Sequence, residues 1–290
     1  MINYGTLIRQ IRKAKKISQK EVYTGIISKS YGIEFEKGEH AISSVLLEKI
    51  VTKLMMSMEE FIVMYHHVNE KEMEEFWEEY DCALNGKDVT KWKKLYKKVS
   101  LEEGKVSQVK KAAILLEMNH VYPHDSLDEA ALNTIETYLS EALFWTLQDV
   151  YLLTRTLRYM PVKSRESFYY RIIKTIERYS YFEQGRRAFC NLLGYIMKDS
   201  VERNKLNYME LMIEGLEKIS VGYEGIYFKI LCMYYSGINQ LGNGKKNEGN
   251  KNVRQAIYLL CALDYVDRAK LYETLYLQFV RNIGKQEWVI

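Results

Sequence analysis

The chain has almost no proline, since only Pro123 and Pro161 occur in 290 residues. Proline removes a backbone donor and interrupts helices, so its scarcity leaves room for many long helices. Cysteine is also sparse, and the four residues form no CxxC pair: Cys82, Cys190, Cys232 and Cys261. This spacing argues against a disulfide framework or a zinc ribbon. We therefore expect four reduced cysteines.

Long hydrophobic runs are missing as well. No stretch approaches the ~18 apolar residues that a membrane-spanning helix needs. The first residues, "MINYGTLIRQIRKAKK", lack the continuous apolar segment of a secretory signal. Because 47% of the residues are nevertheless hydrophobic, the chain can bury a sizeable core. We expect a soluble, cytoplasmic protein with no membrane partner.

The charge is nearly balanced overall but unevenly distributed. Forty-two basic and 38 acidic side chains leave a net charge of +4, which is too small to indicate a partner. Residues 1–25 contain six cations and one acid, Glu21, whereas residues 70–79 contain six glutamates and one lysine. The six cations are Arg9, Arg12, Lys13, Lys15, Lys16 and Lys20. This pattern predicts a local polyanion-binding surface near the N-terminus.

The first 68 residues predict five short helices. Ser18 followed by Glu21 is a capping box, so the second helix should begin at Gln19. Ser28 is a plausible cap for a third helix that ends near Gly38. "ISSVLLEKIVTKL" predicts a fourth helix and "SMEEF" the start of a fifth. Residues 1–68 are therefore expected to form one compact helical domain.

Residues 69–290 have a different pattern, with about ten apolar periodic segments separated by short breaks. Taken in pairs, these segments repeat every 35 to 40 residues, the period of tetratricopeptide-like hairpins. Residues 227–263 are the best example: a helix, a polar loop and a second helix. We predict an all-α fold in which the N-terminal domain is followed by a right-handed superhelix of such hairpins. A generic helical bundle is the alternative.

Two short helices joined by a glycine-containing turn are typical of a helix-turn-helix. In that geometry a helix capped by Ser28 can enter the major groove of double-stranded DNA, with Lys29, Ser30 and Tyr31 near bases and phosphates. Gln19 can bond the DNA backbone, and Lys16 can add nonspecific phosphate attraction. Phe35 should face the domain core.

These motifs carry a resemblance to a known family. Residues 7–61, with Arg12, "SQ" at 18–19, "SKS" at 28–30 and "FEKG" at 35–38, resemble the helix-turn-helix of the Rgg/MutR/GadR transcriptional regulators, in the wider Cro/repressor class. The resemblance implies an ion pair between Arg12 and Glu36. Two residues depart from the family pattern: Gly32, which should weaken the recognition helix, and Glu34, which places a negative charge where the family has arginine.

The same resemblance extends more weakly through the repeats and implies a ligand. Rgg-like proteins bind a short linear signalling peptide, a pheromone of quorum sensing, in the concave face of the repeat domain. Arg158 and Asn191 match family positions suited to this role, and Arg155 lies one helical turn from Arg158. Tyrosine is abundant, with 24 residues, and some, such as Tyr234, could line the groove. We expect a homodimeric DNA-binding regulator that responds to such a peptide.

Several other patterns fail as catalytic or metal sites. His66 and His67 are adjacent, and Pro123 separates His120 from His124, so neither pair makes a helical metal motif. No set of nucleophile, base and orienting residue is evident. We expect no catalytic residues, no metal and no cofactor. The alternative function is a helical-repeat protein that no longer binds DNA and instead sequesters a protein partner.

Overall fold

The structure of the protein, a computed structural model, describes residues 2–69, 76–86, 88–121 and 128–286. Within these ranges it contains sixteen α-helices, one short 3-10 helix and no β-strand, which confirms the all-α prediction. The helices are α1 Tyr4–Ala14, α2 Gln19–Tyr23, α3 Lys29–Lys37, α4 Ser44–Lys53, α5 Met58–Val68, α6 Phe76–Gly86, α7 Val89–Ser100, α8 Lys105–Val121, α9 Glu129–Glu141, α10 Leu147–Thr156, α11 Val162–Tyr179, α12 Glu183–Glu202, α13 Met209–Ile219, α14 Ile226–Gly242, α15 Lys246–Ala262 and α16 Val266–Gln286, with the 3-10 helix at Leu157–Tyr159.

The chain divides into two compact units, Met1–Glu79 and Tyr80–Ile290. The division falls inside α6, whereas the boundary expected from the sequence falls at the end of α5, after residue 68.

Hydrogen-bonded caps set the start of each of the first five helices. The side chains of Asn3, Ser18, Ser28, Ser43 and Ser57 each accept a hydrogen bond from the backbone amide three residues later. Such caps satisfy amides that have no partner inside the helix. The predicted starts at Gln19 and near Met58 are confirmed, as is the end of α3 at Gly38, where φ is +87°.

One hydrophobic core holds the first unit together. Phe35 from α3 and Phe61 from α5 are almost fully buried, which confirms that Phe35 faces inward. The other core side chains come from α1, α2 and α4: Leu7, Ile8, Ile11, Val22, Tyr23, Leu47, Ile50, Val51 and Leu54. Gly5 lets α1 approach α3, because a Cβ at this position would stand 1.7 Å from the carbonyl oxygen of Phe35.

In the second unit, successive helices pack as hairpins. The tightest pair is α14 with α15, the segment that the sequence identified as the best repeat. Gly237 and Gly249 allow this packing, since a Cβ at residue 237 would lie 2.8 Å from the carbonyl oxygen of Gly249. Helix α12 contacts α10, α14 and α16 in addition to its sequence neighbours. Helices α10, α12, α14 and α16 therefore form one layer of the unit.

Candidate functional sites

The first turn of α3 presents polar side chains to solvent. Ser28, Lys29 and Ser30 are exposed, and Tyr31 is half-buried. The Ser28 hydroxyl accepts a hydrogen bond from the Tyr31 amide at 3.2 Å, which fixes the beginning of the helix. Ser28 and Ser30 also bring their hydroxyl oxygens within 3.2 Å of each other. The predicted recognition surface is thus accessible around Lys29 and Ser30.

Tyr31 belongs to a small cluster that includes Glu34 and His40. Its ring stacks on His40 with the centroids 5.4 Å apart and the planes 7° from parallel. Its hydroxyl donates to the carbonyl oxygen of Ala41 at 2.6 Å, so this group can only accept a bond from DNA. His40 Nε2 lies 3.0 Å from Glu34 Oε2. The unusual carboxylate at position 34 therefore has a partner that is positively charged whenever His40 is protonated.

A buried carboxylate, Glu36, joins α3 to α1 and α2. Arg12 donates from Nε to Oε1 at 2.6 Å and from Nη2 to Oε2 at 2.8 Å, which confirms the expected ion pair. Gln19 and the Tyr23 hydroxyl each donate to the same carboxylate at 2.9 Å. Burial alone would raise the pKa of Glu36, but the bonds from Arg12, Gln19 and Tyr23 outweigh it and hold the pKa below its ordinary value.

This arrangement changes the role that the sequence suggested for Gln19. Its side-chain amide is half-buried and already donates to Glu36, so only its second N–H and its carbonyl remain for a phosphate. Lys16 is exposed in the turn after α1, where its φ is +56°. Lys15 is tied down instead, since its Nζ lies 2.5 Å from the carbonyl oxygen of Leu54.

In the second unit, three of the residues predicted to bind a peptide line one open cavity. Arg155, Arg158 and Asn191 come from α10, from the 3-10 turn after it and from α12, and the cavity has a volume of about 290 Å³. The other lining residues are Tyr80, Asp81, Leu84, Glu117, Tyr151, Thr154, Ala188 and Tyr195. Side chains that are far apart in sequence thus meet at a single site.

Carboxylates hold both arginines of this cavity in place. Arg155 donates to both oxygens of Asp81, with Nε 2.9 Å from Oδ1. Arg158 donates to both oxygens of Glu117, which is 1% exposed. Burial opposes the charge on Arg158, but the bond to Glu117 outweighs it and raises the arginine pKa. The Tyr159 hydroxyl also donates to Glu117, at 2.8 Å.

A second, larger cavity continues from the first, because Asn191 and Tyr195 line both. It has a volume of about 590 Å³ and lies among α12, α14 and α16. Its walls are mainly aromatic and apolar, with two cations, Lys198 and Arg268. Lys198 pairs with Glu202 at 2.5 Å. Five of the aromatic and charged residues here were not predicted from the sequence: Tyr195, Lys198, Phe228, Tyr265 and Arg268.

Helical spacing could have indicated part of this second cavity. Tyr195 follows Asn191 by four residues, so the two side chains share a face of α12. Arg268 and Tyr272 have the same spacing on α16. The sequence of α14 does not indicate that this helix packs beside α12 and α16, since contacts between distant helices leave no local pattern.

Tyr234 does not line the groove, contrary to the sequence prediction. It is fully buried between α14 and α16, and its hydroxyl donates to the carbonyl oxygen of Tyr272 at 2.8 Å. Its ring packs against Tyr235 and Tyr272 at centroid distances of 5.2 and 4.8 Å. Tyr234 is therefore a core residue.

Cys190 does line the second cavity, but burial raises the pKa of its thiol to about 12, so it carries no thiolate near neutral pH.

No group of three or more metal-ligating side chains occurs in the described ranges. His124 and the side chain of His120 lie outside the described residues. None of the helices in those ranges is long and apolar enough to cross a membrane.

Comparison with known proteins identifies the family. The family model for the C-terminal domain of the HTH-type transcriptional regulator Rgg matches residues 93–274. The chain belongs to the Rgg family. This family consists of transcriptional regulators and not of enzymes. A proposed transcriptional regulator from Listeria monocytogenes EGD-e is 31% identical, with 97% of this chain and 98% of that one covered and a TM-score of 0.87.

Two more distant structures of similar fold support the architecture alone. The Streptococcus dysgalactiae SHP pheromone receptor Rgg2, in a form with one cysteine replaced by serine, is 18% identical over 95% of this chain and 98% of its own, with a TM-score of 0.77. PrgX in complex with iCF10 is 17% identical over 98% of both chains, also with a TM-score of 0.77. The Rgg fold therefore extends over both units of the chain.

Proposed function

We propose that this Rgg-family regulator binds DNA through the exposed first turn of α3 and binds a short linear peptide in the groove formed by the two joined cavities. The observation that carries the peptide assignment is the position of Asn191, which lines both cavities and shares the first with two arginines held by carboxylates. The peptide is a signal, as in quorum sensing, and changes how the protein acts on its operator.

The groove has the chemistry that an extended peptide requires. An extended chain has unpaired backbone N–H and C=O groups, so its receptor needs side-chain amides and guanidiniums along its length. Asn191, Arg155 and Arg158 supply these groups in the first cavity. Aromatic rings of the second cavity offer apolar contact to side chains, and Arg268 offers a partner to a carboxylate of the peptide.

The ligands of similar proteins support the same assignment. The Streptococcus dysgalactiae protein is a pheromone receptor, and PrgX was crystallised with iCF10. A further similar structure is described as a bacterial peptide pheromone and receptor complex with its mechanism of gene regulation. The similarity of fold extends over 95 to 98% of this chain, which supports a peptide-binding repeat unit here as well.

A peptide selection tests the groove directly. We expect linear peptides of about eight residues, selected from a random display library on the full chain, to lose binding when Asn191→Arg fills the junction of the cavities. Asn191 is exposed, so this variant should remain folded. Asn282→Arg, at an exposed asparagine on α16 that lines neither cavity, is the matched control. Peptides that bind both variants equally would show that the groove is not the site.

DNA binding is tested by its dependence on salt. We expect binding to random duplex DNA to weaken with salt, with a slope equivalent to several phosphate contacts. Lys29→Gln should reduce that slope by about 0.9, the value of one contact. Lys49→Gln removes the same charge from an exposed position on α4 and serves as the control. Absence of DNA binding at low salt would favour the alternative, a repeat protein that sequesters a protein partner.

The regulator acts as a homodimer in this proposal. One helix such as α3 contacts only a half-site, and pairing two of them raises affinity and sets the half-site spacing. A peptide that prefers one arrangement of the repeats then shifts the population of dimers that fit the operator, by no more than its differential affinity. Sedimentation equilibrium of the full chain on a selected operator should give two chains per duplex; one chain per duplex would contradict the dimer.

A further inference from the structure

Helix α7, in the repeat unit, is rich in positive charge. Its twelve residues include five lysines and no acidic side chain: Lys91, Lys93, Lys94, Lys97 and Lys98. Trp92, Leu95 and Val99 occupy the opposite face and are buried. Because the helix rises about 1.5 Å per residue, the five cations span only about 10 Å. The packing of α7 therefore directs all of its charge to one side.

Three of these cations have no partner within the described part of the chain. Lys93, Lys94 and Lys97 are exposed and make no ion pair or hydrogen bond there. The next helix differs, since Lys105 pairs with Glu141 at 2.7 Å and Lys110 with Glu102 at 3.5 Å. Lys93 and Lys97 are one turn apart, a spacing at which like charges repel. An opposing anion would relieve that repulsion.

We propose that the Lys93–Lys94–Lys97 face of α7 is a second DNA-binding surface, which contacts backbone phosphates independently of α3. This inference rests on the proposed DNA binding and assigns a further part of the chain to it. Duplex DNA carries one negative charge per about 1.7 Å of its axis, so the stretch of about 6 Å that these three cations span on α7 faces about three or four phosphates. The surface adds affinity and no sequence preference, because phosphates are the same at every base pair.

A membrane surface fits α7 less well than DNA does. A helix that binds anionic lipid needs an exposed apolar face beside its cations. On α7 the apolar side chains Trp92, Leu95 and Val99 are all packed in the core. The exposed side of the helix therefore has cations without an apolar face beside them, which suits a rigid polyanion such as duplex DNA.

The test compares two triple variants of the full chain on random-sequence duplex DNA across salt. Lys93→Gln, Lys94→Gln and Lys97→Gln together remove the α7 face. Lys174→Gln, Lys251→Gln and Lys270→Gln remove the same charge from exposed positions on α11, α15 and α16. Loss of three phosphate contacts should lower the salt slope by about 2.7 and weaken binding at about 0.1 M salt by about 500-fold, in the α7 variant only.

Four other outcomes would overturn the inference. Equal losses in both triple variants would mean that net charge, and not α7, sets the affinity. An unchanged slope in the α7 variant, with wild-type binding intact, would remove the second surface and leave α3 as the DNA contact. Failure of the wild type itself to bind DNA would refute both proposals. Vesicles of phosphatidylserine and phosphatidylcholine form a parallel arm, and loss of binding to these vesicles but not to DNA would assign α7 to lipid.

Discussion

Gly32 packs directly against the ring of Tyr23. A Cβ at residue 32 would stand 2.6 Å from Cδ2 and 2.9 Å from Cε2 of that ring. The ring has little freedom to move, because Tyr23 is 2% exposed and its hydroxyl donates to Glu36. The glycine in the middle of α3 is therefore what allows this helix to lie close to α2.

Replacement of this glycine should destabilise the first unit, although alanine is the better helix former. Helix propensity alone favours Gly32→Ala by about 1 kcal/mol. Overpacking against a fixed ring costs about 1 to 3 kcal/mol, so we expect a net loss of stability. Hydrogen exchange of peptides from residues 2–69 would report the change. Ser30→Ala, exposed on the same helix, should alter protection little, and greater protection in Gly32→Ala would contradict the packing argument.

The contrast between Gly32 and Ser18 illustrates what the sequence could predict. Caps such as Ser18 and Ser28 act on amides three residues away, so their motifs are local and were found correctly. The Glu36 pair was expected only because a family resemblance supplied its distant partner. The contact of Gly32 with Tyr23 and the burial of Tyr234 depend on packing between helices, and no local pattern encodes them. For the same reason, the sequence did not show that α14 and α16 line the groove.

Removal of the guanidinium of Arg12 should unfold or severely destabilise the first unit. Arg12→Ala leaves the Glu36 carboxylate buried without its charged partner, which typically costs about 3 to 5 kcal/mol. Replacing both partners, in Arg12→Met with Glu36→Met, removes the unpaired charge and should recover part of the loss. Calorimetry of the full chain would follow both variants. An unchanged melting transition in Arg12→Ala would show that the pair is not structural.

The same carboxylate should make the stability of the first unit depend on acid. The pKa of Glu36 is lowered in the folded state from the ordinary value of 4.5. The contribution of this carboxylate to the free energy of unfolding is therefore complete above pH 4.5 and is lost as the pH falls through the folded-state pKa. Because Glu36→Gln cannot titrate, the stability gap between wild type and this variant should narrow below pH 4.5. Hydrogen exchange from about pH 6 to about pH 3 measures the gap, and a constant gap would contradict the assignment.

Tyr234 should matter for stability and not for peptide binding. Tyr234→Phe removes the hydrogen bond to the Tyr272 carbonyl and should cost about 0.5 to 1.5 kcal/mol. Affinity for a selected peptide should stay within about twofold of wild type, since the side chain is fully buried. Isothermal titration of the folded variant gives this affinity. Tyr265→Phe, whose half-exposed ring lines the second cavity, is the comparison.

The two groove arginines should respond differently to truncation. Arg158→Ala leaves Glu117, at 1% exposed, without its charged partner, and should destabilise the repeat unit by about 3 to 5 kcal/mol. Arg155→Ala leaves Asp81, whose side chain is 44% exposed and remains hydrated, so the loss should be about 1 kcal/mol. Tryptophan fluorescence during urea unfolding compares them. If Arg155→Ala stays folded but loses peptide binding, Arg155 contacts the peptide. Equal destabilisation of the two variants would contradict this prediction, because it would mean that Asp81 depends on its arginine as strongly as Glu117 does.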